Sequence, residues 1–154
     1  MAQQPELPVD AGKLIPHCSP MRMVSRLLSC ENDESGTIEA IIGEDNPLLE
    51  EDGTLSEIAM CELIAQAFAA TQGYVDLKND LTTDKGFLVG IRKVECFAPA
   101  RCGDTLTIDI RLLMKLDTFY IVAGEIYRGD ERLAVGEMKA WVPELQPLSP
   151  EDWV

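Results

Sequence analysis

The chain has 154 residues, 46% hydrophobic and 26% charged, the proportions of a folded globular domain and not of a disordered segment. A formal net charge of −14 argues against nucleic acid and anionic membrane as partners. A single histidine excludes a multi-histidine metal site within one chain, and no apolar run reaches the ~18 residues needed to cross a bilayer. The five cysteines are odd in number and widely spaced, with no C-x-x-C, which disfavours zinc or a disulfide framework and points to a reducing cytoplasm.

Met1–Gly12 is polar, carries two prolines and does not read as a signal peptide. It and Pro143–Val154 are expected to be irregular arms of one domain spanning residues 1–154. "RMVSRLLSCE" (Arg22–Glu31) and "GTIEAIIG" (Gly36–Gly43) read as strands, and Glu44–Gly53 as a loop. A helix follows. Thr54 with Glu57 three residues on makes a capping box, and Gly73 offers a stop. Between them Ile58, Met60, Leu63, Ile64, Phe68 and many alanines leave no broad polar face, so the helix is expected to be buried nearly all round.

Beyond a polar loop, Val75–Lys85, four segments read as strands: Gly86–Phe97, Thr105–Lys115, Phe119–Tyr127 and Leu133–Val142. The turns "LD" and "RGDE" join the last three into a meander. One long apolar helix with a run of antiparallel strands is an α+β arrangement, the sheet curling round the helix. One small sheet rarely covers such a helix, so a dimer that extends the sheet is expected.

Within "SEIAMCELIAQAFAATQGY" (Ser56–Tyr74), Glu62 is a carboxylate in an otherwise apolar run. Burial disfavours its charged form and suits it to donate a proton near neutral pH. Gln66, one turn on, shares its face and offers a hydrogen bond. A carboxyl merely satisfied by Gln66, with no catalytic role, is the structural alternative. The amides at the helix start, Ser56–Ala59, are candidate donors to a carbonyl oxygen. Arg92, Lys93 and Arg101 are the best basic patch for an acidic carrier, although solvated edge charges explain each one singly.

Four stretches, covering residues 14–110, together resemble one family. "LIPHCSPMRMVSRLL" is similar to the opening motif of 3-hydroxyacyl-acyl-carrier-protein dehydratases, and "DNPLLE" to the start of their active-site loop. "CELIAQAFAA" matches their central-helix signature, and "GFLVGIRKVECFAPARCGDTL" their following strand pair. The resemblance implies a hotdog fold, a long helix wrapped by a curved antiparallel sheet. It also implies an acyl tunnel at a subunit interface and the elimination of water from a 3-hydroxyacyl thioester, as in fatty-acid or polyene-type metabolism. The substrate would ride on acyl carrier protein or coenzyme A, no cofactor is required, and the dimer would be homomeric or made with a related hotdog subunit.

The loop "LLEEDGTLS" is shorter than the family's G-H-F-P-G stretch and lacks its catalytic histidine, a departure that most resembles the aryl-polyene-type subgroup. Asp52 stands near the place of that histidine, and Glu57 near the glycine whose amide binds the thioester carbonyl. Only Glu62 transfers at a catalytic position, as the acid. His17 is expected to order the N-terminal arm or line the tunnel mouth, with a general-base role as the lesser alternative. Cys18 beside it is expected to be inert, because neighbours in an extended segment point apart. Gln66 supports Glu62, while Phe87 and Gly90 shape the tunnel. Two other readings compete: a half-site subunit completed by a histidine-bearing relative, and a hotdog thioesterase in which Glu62 activates water.

Overall fold

The computed structural model describes residues 5–82, 87–142 and 146–147, apart from the side chains of Thr82, Phe87, Gln146 and Pro147. In chain order the elements are β1 (Val9–Asp10), a 3-10 turn (Ala11–Lys13), β2 (Arg26–Glu31), β3 (Ser35–Ile41), α1 (Glu57–Lys78) and β4 (Leu81–Thr82). Then come β5 (Phe87–Cys96), β6 (Thr105–Leu116), β7 (Phe119–Arg128), β8 (Glu131–Trp141) and β9 (Gln146–Pro147). Seven of these strands form one antiparallel sheet in the order β1-β2-β3-β6-β7-β8-β5, and β4 pairs with β9. Two short strands thus lie within or beside the stretches expected to be irregular.

The sheet wraps α1 with the face set by strand alternation. Ile38 on β3 lies opposite Ile108 on β6, and Ile108 opposite Ile126 on β7, all three fully buried. Val122 opposes Met138 between β7 and β8, and both are buried. Against this face the helix sets Ala59, Met60, Leu63, Ile64 and Ala67, none of them appreciably exposed. Ile64 is the knob of this packing. Gly124 and Gly136 are cross-strand partners, and a Cβ at Gly124 would lie 2.6 Å from the Ile64 side chain. The hairpin turns after β6 and β7 each take a left-handed residue, Asp117 (φ 58°) and Gly129 (φ 60°), and the turn after β2 takes two, Asn32 and Asp33, which fits the twist of the strands they join.

Both expected helix boundaries are wrong. Ser56, not Thr54, is the N-cap, and its side chain makes no capping bond. The Thr54 hydroxyl is committed elsewhere, donating to Asp52 Oδ1 at 2.6 Å. Gly73 does not stop the helix, which runs on to Lys78, so Val75–Lys78 is helical and not loop. The glycine serves close approach instead. A Cβ at Gly73 would sit 2.3 Å from the backbone carbonyl oxygen of Leu14, so the N-terminal segment can lie directly on the helix only because that side chain is missing. The helix is also less enclosed than expected: Ile58 is 71% exposed, and Cys61, Glu62, Ala65 and Ala69 are half-buried along one stripe.

That stripe adjoins β5, the last strand of the sheet. Among the described residues no strand pairs with its outer edge, and Leu88, Val89 and Ile91 are exposed along it. Unpaired edges carrying apolar side chains are natural sites for a further strand. No helix among the described residues is long and apolar enough to cross a membrane.

Candidate active site

A cavity of about 350 Å³ runs along the open stripe of α1. The helix contributes Glu62, Ala65, Gln66, Ala69, Gln72, Gly73 and Asp76, the i, i+3, i+4 succession of a single face. Leu14, Pro16 and His17 of the N-terminal segment form the opposite wall. Leu88, Val122, Met138 and Ala140 close it from the sheet. The Gly73–Leu14 approach therefore has a direct effect on the site: it seats the segment that carries His17 beside Glu62.

At one end of the cavity, His17 Nε2 lies 3.8 Å from Glu62 Oε1, and each side chain keeps 35% of its surface exposed. The separation is beyond a direct hydrogen bond, so a small shift or one water molecule would join the two. His17 Nδ1 is buried, with no partner among the described residues. Glu62 is firmly oriented. Gln66 Nε2 donates to Glu62 Oε1 at 2.8 Å and to the Met21 carbonyl at 2.9 Å, while the Met23 amide donates to Gln66 Oε1 at 2.8 Å. Gln66 is itself fully buried, so its fork fixes the carboxylate to the backbone of the N-terminal segment. The nearly complete burial expected for Glu62 is not found in the single chain, because its stripe faces the cavity and not the sheet.

The other expected site residues separate into two groups. Gln66 supports Glu62 as expected from its spacing. Asp52, Glu57 and Gly90 do not line the cavity. Asp52 is exposed and closes its own turn by accepting from the Thr54 amide and hydroxyl, bonds that hold its pKa below the usual carboxylate value. Glu57 is exposed in the first turn of α1, and none of residues 56–59 reaches the cavity. Gly90 lies in β5 at a register shift, with Lys139 the nearest side chain to its missing Cβ, at 3.9 Å. Phe87 opens β5 opposite Trp141, and its side chain lies outside the described residues. Cys18 is exposed, its thiol facing the Pro16 carbonyl. The basic patch is partly neutralised, since Arg92 faces Glu137 at 3.9 Å and Lys93 faces Glu95 at 3.0 Å.

The sequence reading passed over Asp76. It is buried, at 4% exposure, at the end of the cavity away from Glu62. Its signal was the fourteen-residue interval from Glu62, close to four whole helical turns, which the assumed stop at Gly73 concealed. Burial raises its pKa from 3.8 to about 6, against the lowering effects of the Gln72 hydrogen bond and the charge of Lys115. Between about pH 4 and pH 6 the folded chain therefore binds more protons at Asp76 than the unfolded chain does, and stability falls as the pH rises through that window. Asp76→Asn removes this penalty. Urea unfolding should show the variant ahead of the parent by about 1–3 kcal/mol at pH 7, with the gap closing towards pH 4.

Comparison with known proteins agrees with this architecture. Residues 9–150 match the family model described as ApeP-like, ApeP dehydratase. No curated protein matches the chain. Among solved structures, the dehydratase heterocomplex ApeI:P from Xenorhabdus doucetiae superposes with a TM-score of 0.82 at 24% identity, covering 91% of this chain and 93% of that one. The E. coli PaaI protein from the phenylacetic acid degradation operon gives 0.59 at 15% identity, over 75% and 80% of the two chains. A hypothetical thioesterase from Streptococcus pneumoniae, solved with coenzyme A, gives 0.59 at 14% identity, over 78% and 86%. With the family match spanning most of its length and one long helix wrapped by a curved antiparallel sheet, the chain belongs to the ApeP-like dehydratases, hotdog-fold proteins of the 3-hydroxyacyl dehydratase type.

Proposed function

We propose that the chain eliminates water from a 3-hydroxyacyl thioester, with Glu62 and His17 as an acid–base pair at the head of an acyl cavity. The observation that carries this reading is the approach of His17 Nε2 to within 3.8 Å of Glu62 Oε1, both opening on the cavity. The chain lacks the histidine of the usual active-site loop, and the single histidine it has is brought to the glutamate from the other side of the cavity.

In the proposed cycle the reactive form of the pair carries its one exchangeable proton on Glu62. The His17 imidazole takes the C2 proton of the substrate, and the carboxyl protonates the hydroxyl leaving C3. The C2–H electron pair becomes the new double bond as the C3–O bond breaks and water departs. His17 is left protonated and Glu62 ionised. A proton passed back across their short gap, directly or through one water, restores the start. Gln66 orients the carboxyl throughout by holding Oε1.

A second reading retains the same glutamate but requires a partner. The unpaired outer edge of β5 and the apolar residues along it support the addition of another hotdog subunit there, and the similar X. doucetiae protein is a heterocomplex. A thioesterase in which Glu62 activates water uses the same cavity. One assay separates the three. The purified chain is given a 3-hydroxyacyl thioester, and both unsaturated thioester and free thiol are followed, with and without a histidine-bearing hotdog dehydratase. Unsaturated product from the chain alone is the expected result. Activity only in the mixture identifies the half-site, and free thiol the thioesterase.

A further inference from the structure

Beyond Gly73 the helix continues to Lys78, and this stretch closes the cavity at the end away from Glu62. Gln72 and Leu77 of α1 and Leu81 of β4 line that end. The Asp76 carboxyl belongs to the same turn but is shut in. Its Oδ1 accepts from Gln72 Nε2 at 2.9 Å, whereas Oδ2 is sealed from water and cavity alike and has no hydrogen-bond partner among the described residues.

Three circumstances oppose a negative charge in this position. The carboxyl is desolvated. One of its oxygens lacks a donor. The residue also stands in the last turn of α1, where the free carbonyls already carry partial negative charge. The cations around it offset this only in part. Lys115 of β6 acts from a distance, its ammonium lying over the Tyr120 ring of β7 at 5.3 Å from the centroid. Lys13 lines the same cavity from the 3-10 turn, and Lys78 is committed to Asp33. The cavity-lining residues of β4, β5, β7 and β8 are all apolar, and Glu62 stands at the opposite end.

Any motion that carries Asp76 into water relieves the charged form, so opening and ionisation are coupled. The helix end is the segment best placed to move, since terminal turns open at far lower cost than core strands. Asn79 caps it, its amide and side chain donating to the Val75 carbonyl at 3.2 and 2.9 Å.

We infer that the last turn of α1 is a proton-operated gate, which closes this end of the cavity while the Asp76 carboxyl is uncharged and loosens to admit solvent once the carboxylate forms. Burial raises the pKa from 3.8 to about 6 in the closed form, so opening becomes easier as the pH rises between about 4 and 6 and levels off above. The consequence for substrates rests on reading the cavity as an acyl site: tails that reach past Gly73 are admitted when the gate is loose.

Hydrogen exchange of the full chain reads the gate without substrate or ligand. It is followed by mass spectrometry at pH 5 and pH 7 and corrected for intrinsic amide rates. Peptides spanning residues 72–80 should exchange about tenfold faster at pH 7, the ratio set by a carboxyl that titrates at 3.8 when open and about 6 when closed. Peptides from β7 should stay much slower at both pH values, which marks the opening as local. Asp76→Asn, neutral throughout, should show no such ratio, and Lys115→Met, which withdraws the facing cation, should enlarge it. A ratio near one in the parent, an undiminished ratio in Asp76→Asn, or exchange at 72–80 no faster than in β7 would each overturn the gate. Dehydration is assayed separately. Its failure would leave the gate intact, and failure of the gate would leave the pairing of Glu62 with His17 untouched.

Discussion

Replacing Glu62 by glutamine is expected to lower dehydration of a 3-hydroxyacyl thioester by about 10²–10⁴-fold, the range over which a positioned acid or base contributes. The change keeps the shape of the side chain and an oxygen for Gln66 Nε2 to donate to, so the support from Met21 and Met23 survives. Thermal unfolding of the variant should therefore match the parent. The loss should fall mainly on kcat and not on KM, because the acid acts on the departing hydroxyl and contributes little to holding the acyl tail. Formation of the unsaturated thioester, followed continuously, gives both constants. A variant with full activity would remove Glu62 from the mechanism.

Ile64→Ala should be among the most damaging core substitutions, costing about 4 kcal/mol within the ~2–5 kcal/mol range of such truncations. The reason is local. The side chain fills a slot whose floor is the cross-strand glycine pair Gly124 and Gly136, and neither glycine has a side chain that can move into the space left behind. A cavity that cannot collapse carries the largest penalty. Chemical denaturation measures the loss. The complementary substitution supplies the control: Gly124→Ala alone is expected to destabilise, since its new Cβ meets Ile64 at 2.6 Å, but in the Ile64→Ala background it should recover part of the loss. Additive losses in the double variant would contradict this packing account.

Much of the fold was legible because its signals are periodic. The alternation in "TLTIDI" places Leu106, Ile108 and Ile110 on the buried face of β6, and the run from Ala59 to Ala70 fits a helix enclosed by a sheet. The helix ends were misread for physical reasons. Thr54 looks like a cap in sequence but is held by its own Asx turn with Asp52. Gly73 looks like a terminator because sequence cannot show that Leu14, fifty-nine positions earlier, lies across it. The Glu62–Gln66 bond was readable, being one turn apart on one helix. The approach of His17 to Glu62 was not, because it depends on where an irregular segment comes to rest. Asp76 was lost with the helix end.

The strand at the margin of the sheet has two roles. Leu88 walls the cavity, whereas Val89 and Ile91, close by on the same strand, are exposed along a margin that no strand pairs among the described residues. Residues this close in sequence cannot drift independently. If the proposed acyl tail and companion subunit meet at this strand, a substitution that sharpens the fit to the companion would also tilt the wall against which the tail rests, and one that reshapes the wall would disturb the companion's footing. Choice of associate and choice of chain length would then be yoked, and relatives that differ in one should show compensating changes in the other.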